Sequence, residues 1–132
     1  MNYTDILRKH DLKVTPQRVA IAEALCEYGH LNIETLYQMM IKRFNSLSQA
    51  TIYKNINLML ENNFIQEVKI PNNKTVYELT KQNHSHLVCN NCGNVSDIDI
   101  ELDNIVKSIS QKSDFQIEKA NLILSGLCKK CQ

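Results

Sequence analysis

Four of the five cysteines in this chain stand in two C-x-x-C pairs, Cys89/Cys92 and Cys128/Cys131, and no other feature restricts the fold as much. Two such pairs supply four thiolates, the closed tetrahedral set of structural zinc. Cys128 follows Cys92 by 36 positions, beyond the usual short zinc-finger spacing. The fold must therefore carry the last residues back to the first pair, which Gly93 helps to turn. A redox pair would want a thiol at a helix N-terminus, where its pKa falls. Cys89 instead follows an apparent strand. The opening MNYTDILRKHDLKVT lacks the apolar core of an export signal. No run approaches the roughly 18 apolar residues of a membrane helix. The expectation is a cytoplasmic protein in a reducing compartment, which disfavours a disulfide framework. Cys26, alone in an apolar helical pattern, reads as a small core residue.

At 132 residues the chain can make one ordinary domain or two small ones. A domain near 60 residues is marginal by burial alone, so two parts would need metal or dimerisation. The periodicity favours two. Thr15 caps and Pro16 opens a helix whose Val19, Ala22, Leu25 and Cys26 recur at helical spacing, and Gly29 stops it. Asn32 caps a second, with Ile33, Leu36, Met40 and Phe44 as its stripe. Ser48 caps a third, with Ile52, Ile56, Met59 and Leu60. "FIQEVKI", "PNNK" and "TVYEL" then read as a β-hairpin. This is the order of a winged helix-turn-helix, in which the third helix enters the major groove. Its other face carries Gln49, Thr51, Tyr53, Lys54 and Asn57, with no acid before Glu61. Those side chains can donate to base edges or touch thymine methyls.

From Thr80 the chain is strand-rich: "SHLVC", "NVSDIDI" and "QIEKANLILSG" bracket a helix at "LDNIVKSISQK". The expected division is residues 1–79 for DNA, a hinge at 80–83, and 84–132 for dimerisation and metal. The fold class is α+β, a winged helix-turn-helix followed by a small α/β dimerisation domain with a four-cysteine zinc site. Net charge of +1 neither demands nor excludes nucleic acid.

A second constellation lies beside the first cysteine pair. His84 and His86, two apart, point to one face of a strand. Glu78 at the end of the hairpin, Asp97 and His30 could complete a site. Mixed imidazole and carboxylate donors suit Fe(II), Mn(II) or Zn(II) rather than a thiolate-loving ion. An ion held by all five would fix one half against the other, and bound metal would select one dimer arrangement.

The stretches "LKVTPQRVAI", "SQATIYKNINLMLENNFI", "VYELT", "HSHLVCNNCGNV" and "GLCKKC" together resemble the Fur family of metal-dependent bacterial repressors, over essentially the whole chain. The resemblance implies a homodimeric winged-helix repressor that binds an AT-rich palindromic operator in double-stranded DNA. It further implies structural zinc on the cysteines, with regulatory iron or manganese at His30, Glu78, His84, His86 and Asp97. Tyr53 and Lys54 fall at the family's recognition-helix positions and Lys13 at one that approaches the minor groove, and Arg18 is expected to touch phosphate. A further family site would need other residues than Asn83, Ser85 and Ala120. Asp97 is similar to the peroxide-sensing (PerR) branch and Glu78 to the iron-sensing one. The single regulatory site inclines the reading to peroxide sensing, in which oxidation of His30 or His84 releases DNA. The alternatives are an iron-level repressor and a zinc-clamped DNA-binding module without sensing. An enzyme is not expected: a zinc deaminase wants H-x-E and P-C-x-x-C, and this chain has H-S-H with Leu87 and Val88 before Cys89. His10 reads as a solvated charge at a helix end.

Overall fold

The computed structural model describes residues 2–81 and 84–132, so the expected hinge positions 82 and 83, Asn83 included, lie outside the described residues. The chain divides into two compact units, residues 1–80 and 81–132.

In the first unit the helices begin where their caps require. They are α1 (Tyr3–Lys9), α2 (Pro16–Tyr28), α3 (Ile33–Arg43) and α4 (Gln49–Glu61). The side chains of Thr15, Asn32 and Ser48 accept from the amides of Arg18, Thr35 and Thr51 at 3.2, 2.8 and 3.2 Å, satisfying donors that the helix itself leaves unpaired. Gly29, at φ +79°, ends α2 in a conformation that L side chains rarely adopt. Leu7, Ile21, Leu25, Leu36, Met40, Ile52, Ile56, Met59 and Ile65 are fully buried and form the core. Strands β2 (Ile65–Val68) and β3 (Val76–Leu79) make the expected hairpin, and β3 also pairs with a short strand β1 (Leu31–Asn32). The order β1-β3-β2 leaves β3 central, with Gln66 directly opposite Glu78.

The second unit is a sheet of order β5-β4-β6 with one helix. Strands β4 (Ser85–Cys89) and β5 (Val95–Ile98) are antiparallel around the Cys89–Cys92 turn. β6 (Ile123–Gly126) returns parallel to β4, and helix α5 (Asp103–Ser113) lies in the crossover that a parallel pair requires. Among the described residues the unit buries only Ser85, His86, Val88 and Cys89. α5 buries none of its residues.

Four expectations need correction. Cys26 is exposed rather than in the core. The buried residues of α2 are Ala20, Ile21, Ala22, Ala24 and Leu25, so the expected core positions Ala22 and Leu25 are buried and Cys26 is not. The strand expected over "QIEKANLILSG" forms only at Ile123–Gly126, because β4 offers it a paired edge only from His86 to Cys89. β1 was not expected at all. His10 is half-buried rather than solvated: its Nδ1 lies 3.0 Å from the Asn62 carbonyl, and Phe64 meets its ring edge-on at 5.5 Å.

Candidate metal centres and nucleic-acid face

The parallel β4–β6 register explains how the chain end reaches the first cysteine pair. Cys89 stands opposite Gly126, and the Asn90 amide donates to the Gly126 carbonyl at 2.8 Å. Cys128 follows two residues later, and a 3₁₀ turn (Lys129–Cys131) swings Cys131 round. Gly93, at φ +77°, closes the other knuckle by donating to the Cys89 carbonyl at 3.0 Å. The four sulfurs all lie within 4.8 Å of one another, and Cys92 Sγ is 3.9 Å from Cys128 Sγ. Tetrahedral Zn–S bonds of about 2.3 Å put sulfurs roughly 3.8 Å apart, a spacing the Cys92–Cys128 pair already has, so the cluster suits zinc. Its electrostatics point the same way. Amide hydrogen bonds from Cys128, Cys92 and Asn91 lower the Cys89 thiol to about 6 against the cost of burial. At Cys131 the Asn91 side chain pulls down, but Cys128, Cys89 and burial together raise the thiol to about 11. Four crowded thiols cannot all ionise among themselves, and a divalent cation removes that conflict.

The second donor set in this unit is built on β4 and β5. His86 is the direct cross-strand partner of Asp97, and His84 shares its face two residues earlier. The two rings stand 4.5 Å apart, and the Nε2 of each lies 3.5 Å from Asp97 Oδ1. The Lys81 ammonium contacts the other oxygen of Asp97. The first unit holds a pair of its own. His30 Nε2 is 2.6 Å from Glu78 Oε2, and Glu78 is fully buried at the centre of its sheet. Gln66, opposite on β2, donates through Nε2 to Glu78 Oε1 at 2.7 Å. No periodicity or spacing singled out Gln66; only the register of the hairpin would have found it.

Gln49, Thr51, Tyr53, Lys54 and Asn57 are all exposed on α4, on the side away from buried Ile52, Ile56 and Met59. Lys13 is exposed in the α1–α2 loop. Arg18, expected at a phosphate, has two internal bonds: Nε donates to Asn55 Oδ1 at 3.1 Å and Nη1 to the Lys13 carbonyl at 2.8 Å. Ser85 is buried and Ala120 half-buried. No helix among the described residues is long and apolar enough to cross a membrane.

A capped helix whose exposed face carries no acid before Glu61, joined in one chain to a hairpin, a thiol cluster and imidazole–carboxylate sets, defines a metal-responsive winged-helix regulator. The ferric uptake regulator family matches residues 9–125, and the chain belongs to that family. It is 28% identical over 128 residues to a peroxide-responsive repressor, PerR, of Staphylococcus epidermidis, covering 96% of this chain and 85% of that one. The ferric uptake regulator of Vibrio cholerae is similar in structure, with a TM-score of 0.79 and 30% identity over 96% of this chain and all of that one. The peroxide stress regulator of Campylobacter jejuni has a TM-score of 0.75 and 32% identity over 99% of this chain and all of that one.

Proposed function

We propose that this chain is a metal-dependent transcriptional repressor whose hold on DNA is switched by iron or manganese at a regulatory site separate from its structural zinc. The observation that carries this reading is the pairing of His86 with Asp97, His84 beside them. It makes a nitrogen and oxygen donor set in the same unit as the thiol cluster but chemically unlike it. Thiolates hold zinc for the fold, whereas imidazoles and carboxylates suit an ion that exchanges.

The regulatory ligands in this reading are His30, Glu78, His84, His86 and Asp97, drawn from both units. Closure of the two sets on one ion would fix the DNA-binding unit against the other, and metal would bias the arrangement competent for an operator. Gln49, Thr51, Tyr53, Lys54 and Asn57 would read bases and Lys13 the minor groove of an AT-rich palindrome. The molecule would work as a homodimer through its second unit. Six large apolar residues there are exposed: Leu87, Ile105, Ile109, Phe115, Leu124 and Leu127. A unit with so little buried interior and such a surface needs a partner. The protein acts by binding rather than as an enzyme.

The signal we favour is peroxide. Asp97 and the similarity to the Staphylococcus and Campylobacter regulators support it. Ferrous iron, when bound, would supply the electrons that reduce peroxide. His30 or His84 would be the ligand that takes up oxygen, and a modified imidazole would hold metal less well. Glu78 supports the second reading, a sensor of ferrous-iron level. The two part in one experiment. Iron-loaded protein meets a small excess of hydrogen peroxide, with a manganese-loaded control, and its peptides are weighed. One added oxygen on the His30 or His84/His86 peptides, with iron only, is the expected result. Unmodified histidines with iron demonstrably bound would leave the iron-level reading.

A further inference from the structure

The Arg18 guanidinium ties together the two segments that carry the proposed DNA readers. Its root is fixed, since the Arg18 amide donates to Thr15 Oγ1 at 3.2 Å in the first turn of α2. Its tip reaches two ways, to the Lys13 carbonyl at 2.8 Å and to Asn55 Oδ1 at 3.1 Å. Lys13 lies in the loop before α2, and Asn55 directly follows Tyr53 and Lys54 on α4, all three of those basic or aromatic side chains being exposed. We propose that Arg18 is a positioning residue for DNA reading: it sets the separation between the Lys13 loop and the exposed face of α4, so that both engage one duplex in register. This rests on the DNA-binding reading above.

The chemistry of the side chain supports the role. A guanidinium is planar and presents its donors in a rigid fork, so two bonds from one fork fix two acceptors relative to each other. A lysine ammonium is a point charge on a flexible stem and cannot do this. Phosphate contacts carry no sequence information, whereas base contacts need correct placement. Loss of the fork should therefore lower discrimination between sequences before it lowers attraction to DNA in general.

The test uses the full zinc-loaded chain with manganese, a duplex selected from a random pool by the unaltered protein, and a scrambled duplex of the same length. Arg18→Lys keeps the charge and loses the fork. Asn55→Ala keeps the guanidinium and removes one of its anchors, which covers the case in which Arg18→Ala does not fold. Arg18→Lys and Asn55→Ala are each expected to reduce preference for the selected duplex by about 10-fold, with the salt dependence unchanged. Without DNA, amide exchange around Lys13 and Asn55 should quicken in both. Wild-type discrimination by Arg18→Lys would overturn the proposal. So would an equal loss on both duplexes in Arg18→Ala with the salt slope lower by about 1, which would assign Arg18 to a phosphate. Unaltered protein that prefers no duplex would remove the DNA reading itself, and this inference with it.

Discussion

His86 and Asp97 face each other across the β4–β5 pair, and the His86 Nε2 lies 3.5 Å from Asp97 Oδ1. Sheet register thus supplies two donors, and His84, just before β4 and two residues from His86, brings its ring to 4.5 Å from the His86 ring. The same strand ends in Cys89. One element therefore serves both metal sets: its start faces the imidazole–carboxylate donors and its end enters the thiol cluster.

Removal of the thiol cluster should undo the second unit. Its interior among the described residues is four side chains on one strand, and structural zinc binds small domains with roughly 10–16 kcal/mol of apparent free energy. Cys131→Ser is expected to purify without zinc and to lose the cooperative unfolding of residues 81–132. The helices around Leu25, Ile52 and Ile56 should remain. Elemental analysis with calorimetry checks this, and a full zinc complement in the variant would contradict it.

Gln66 orients one oxygen of buried Glu78. Groups that hold a metal ligand in place typically cost 10- to 100-fold in affinity when removed. Gln66→Ala is therefore expected to weaken manganese binding by about 10-fold while zinc content is unchanged. Titration followed by electron paramagnetic resonance measures this. An unaltered affinity would show that the Gln66 bond does not position Glu78 for the metal.

Lys54, exposed on α4, is expected to reach a base edge. Lys54→Ala should cost about 1–3 kcal/mol on a selected duplex and relax the preference at one position. Binding assays against a panel of single-base variants check it. A uniform loss over all of them would place Lys54 at the phosphate backbone.

The core beneath that helix makes a separate prediction. Ile56 is 1% exposed, and its truncation to alanine is expected to cost about 2–5 kcal/mol of stability in the first unit. Chemical denaturation reads this directly. A change well under 1 kcal/mol would mean that the site collapses freely.

The parts legible in the sequence are those fixed by neighbouring residues. Thr15, Asn32 and Ser48 announce helix starts because a cap bonds an amide three residues on. Each C-x-x-C is likewise a local turn. Distant partners are legible where cysteine or histidine chemistry marks them, and not where only backbone pairing or a single polar contact does. Leu31–Asn32 becomes a strand only because Val76 and Tyr77 lie alongside, and β6 is confined to Ile123–Gly126 because those are the residues that lie against His86–Cys89. His10 looked like a solvated charge until the Asn62 carbonyl and Phe64 came to meet it. The Gln66–Glu78 and Arg18–Asn55 bonds are hidden for the same reason, since the partners stand 12 and 37 residues apart.

The regulatory set is expected to switch DNA binding, and the cysteine zinc is not. The most direct measurement is DNA affinity of His86→Ala with and without manganese, taken alongside its zinc content. The account predicts full zinc, folded protein and no stimulation of binding by manganese. Loss of zinc together with stimulation, or stimulation equal to that of the unaltered protein, would contradict it.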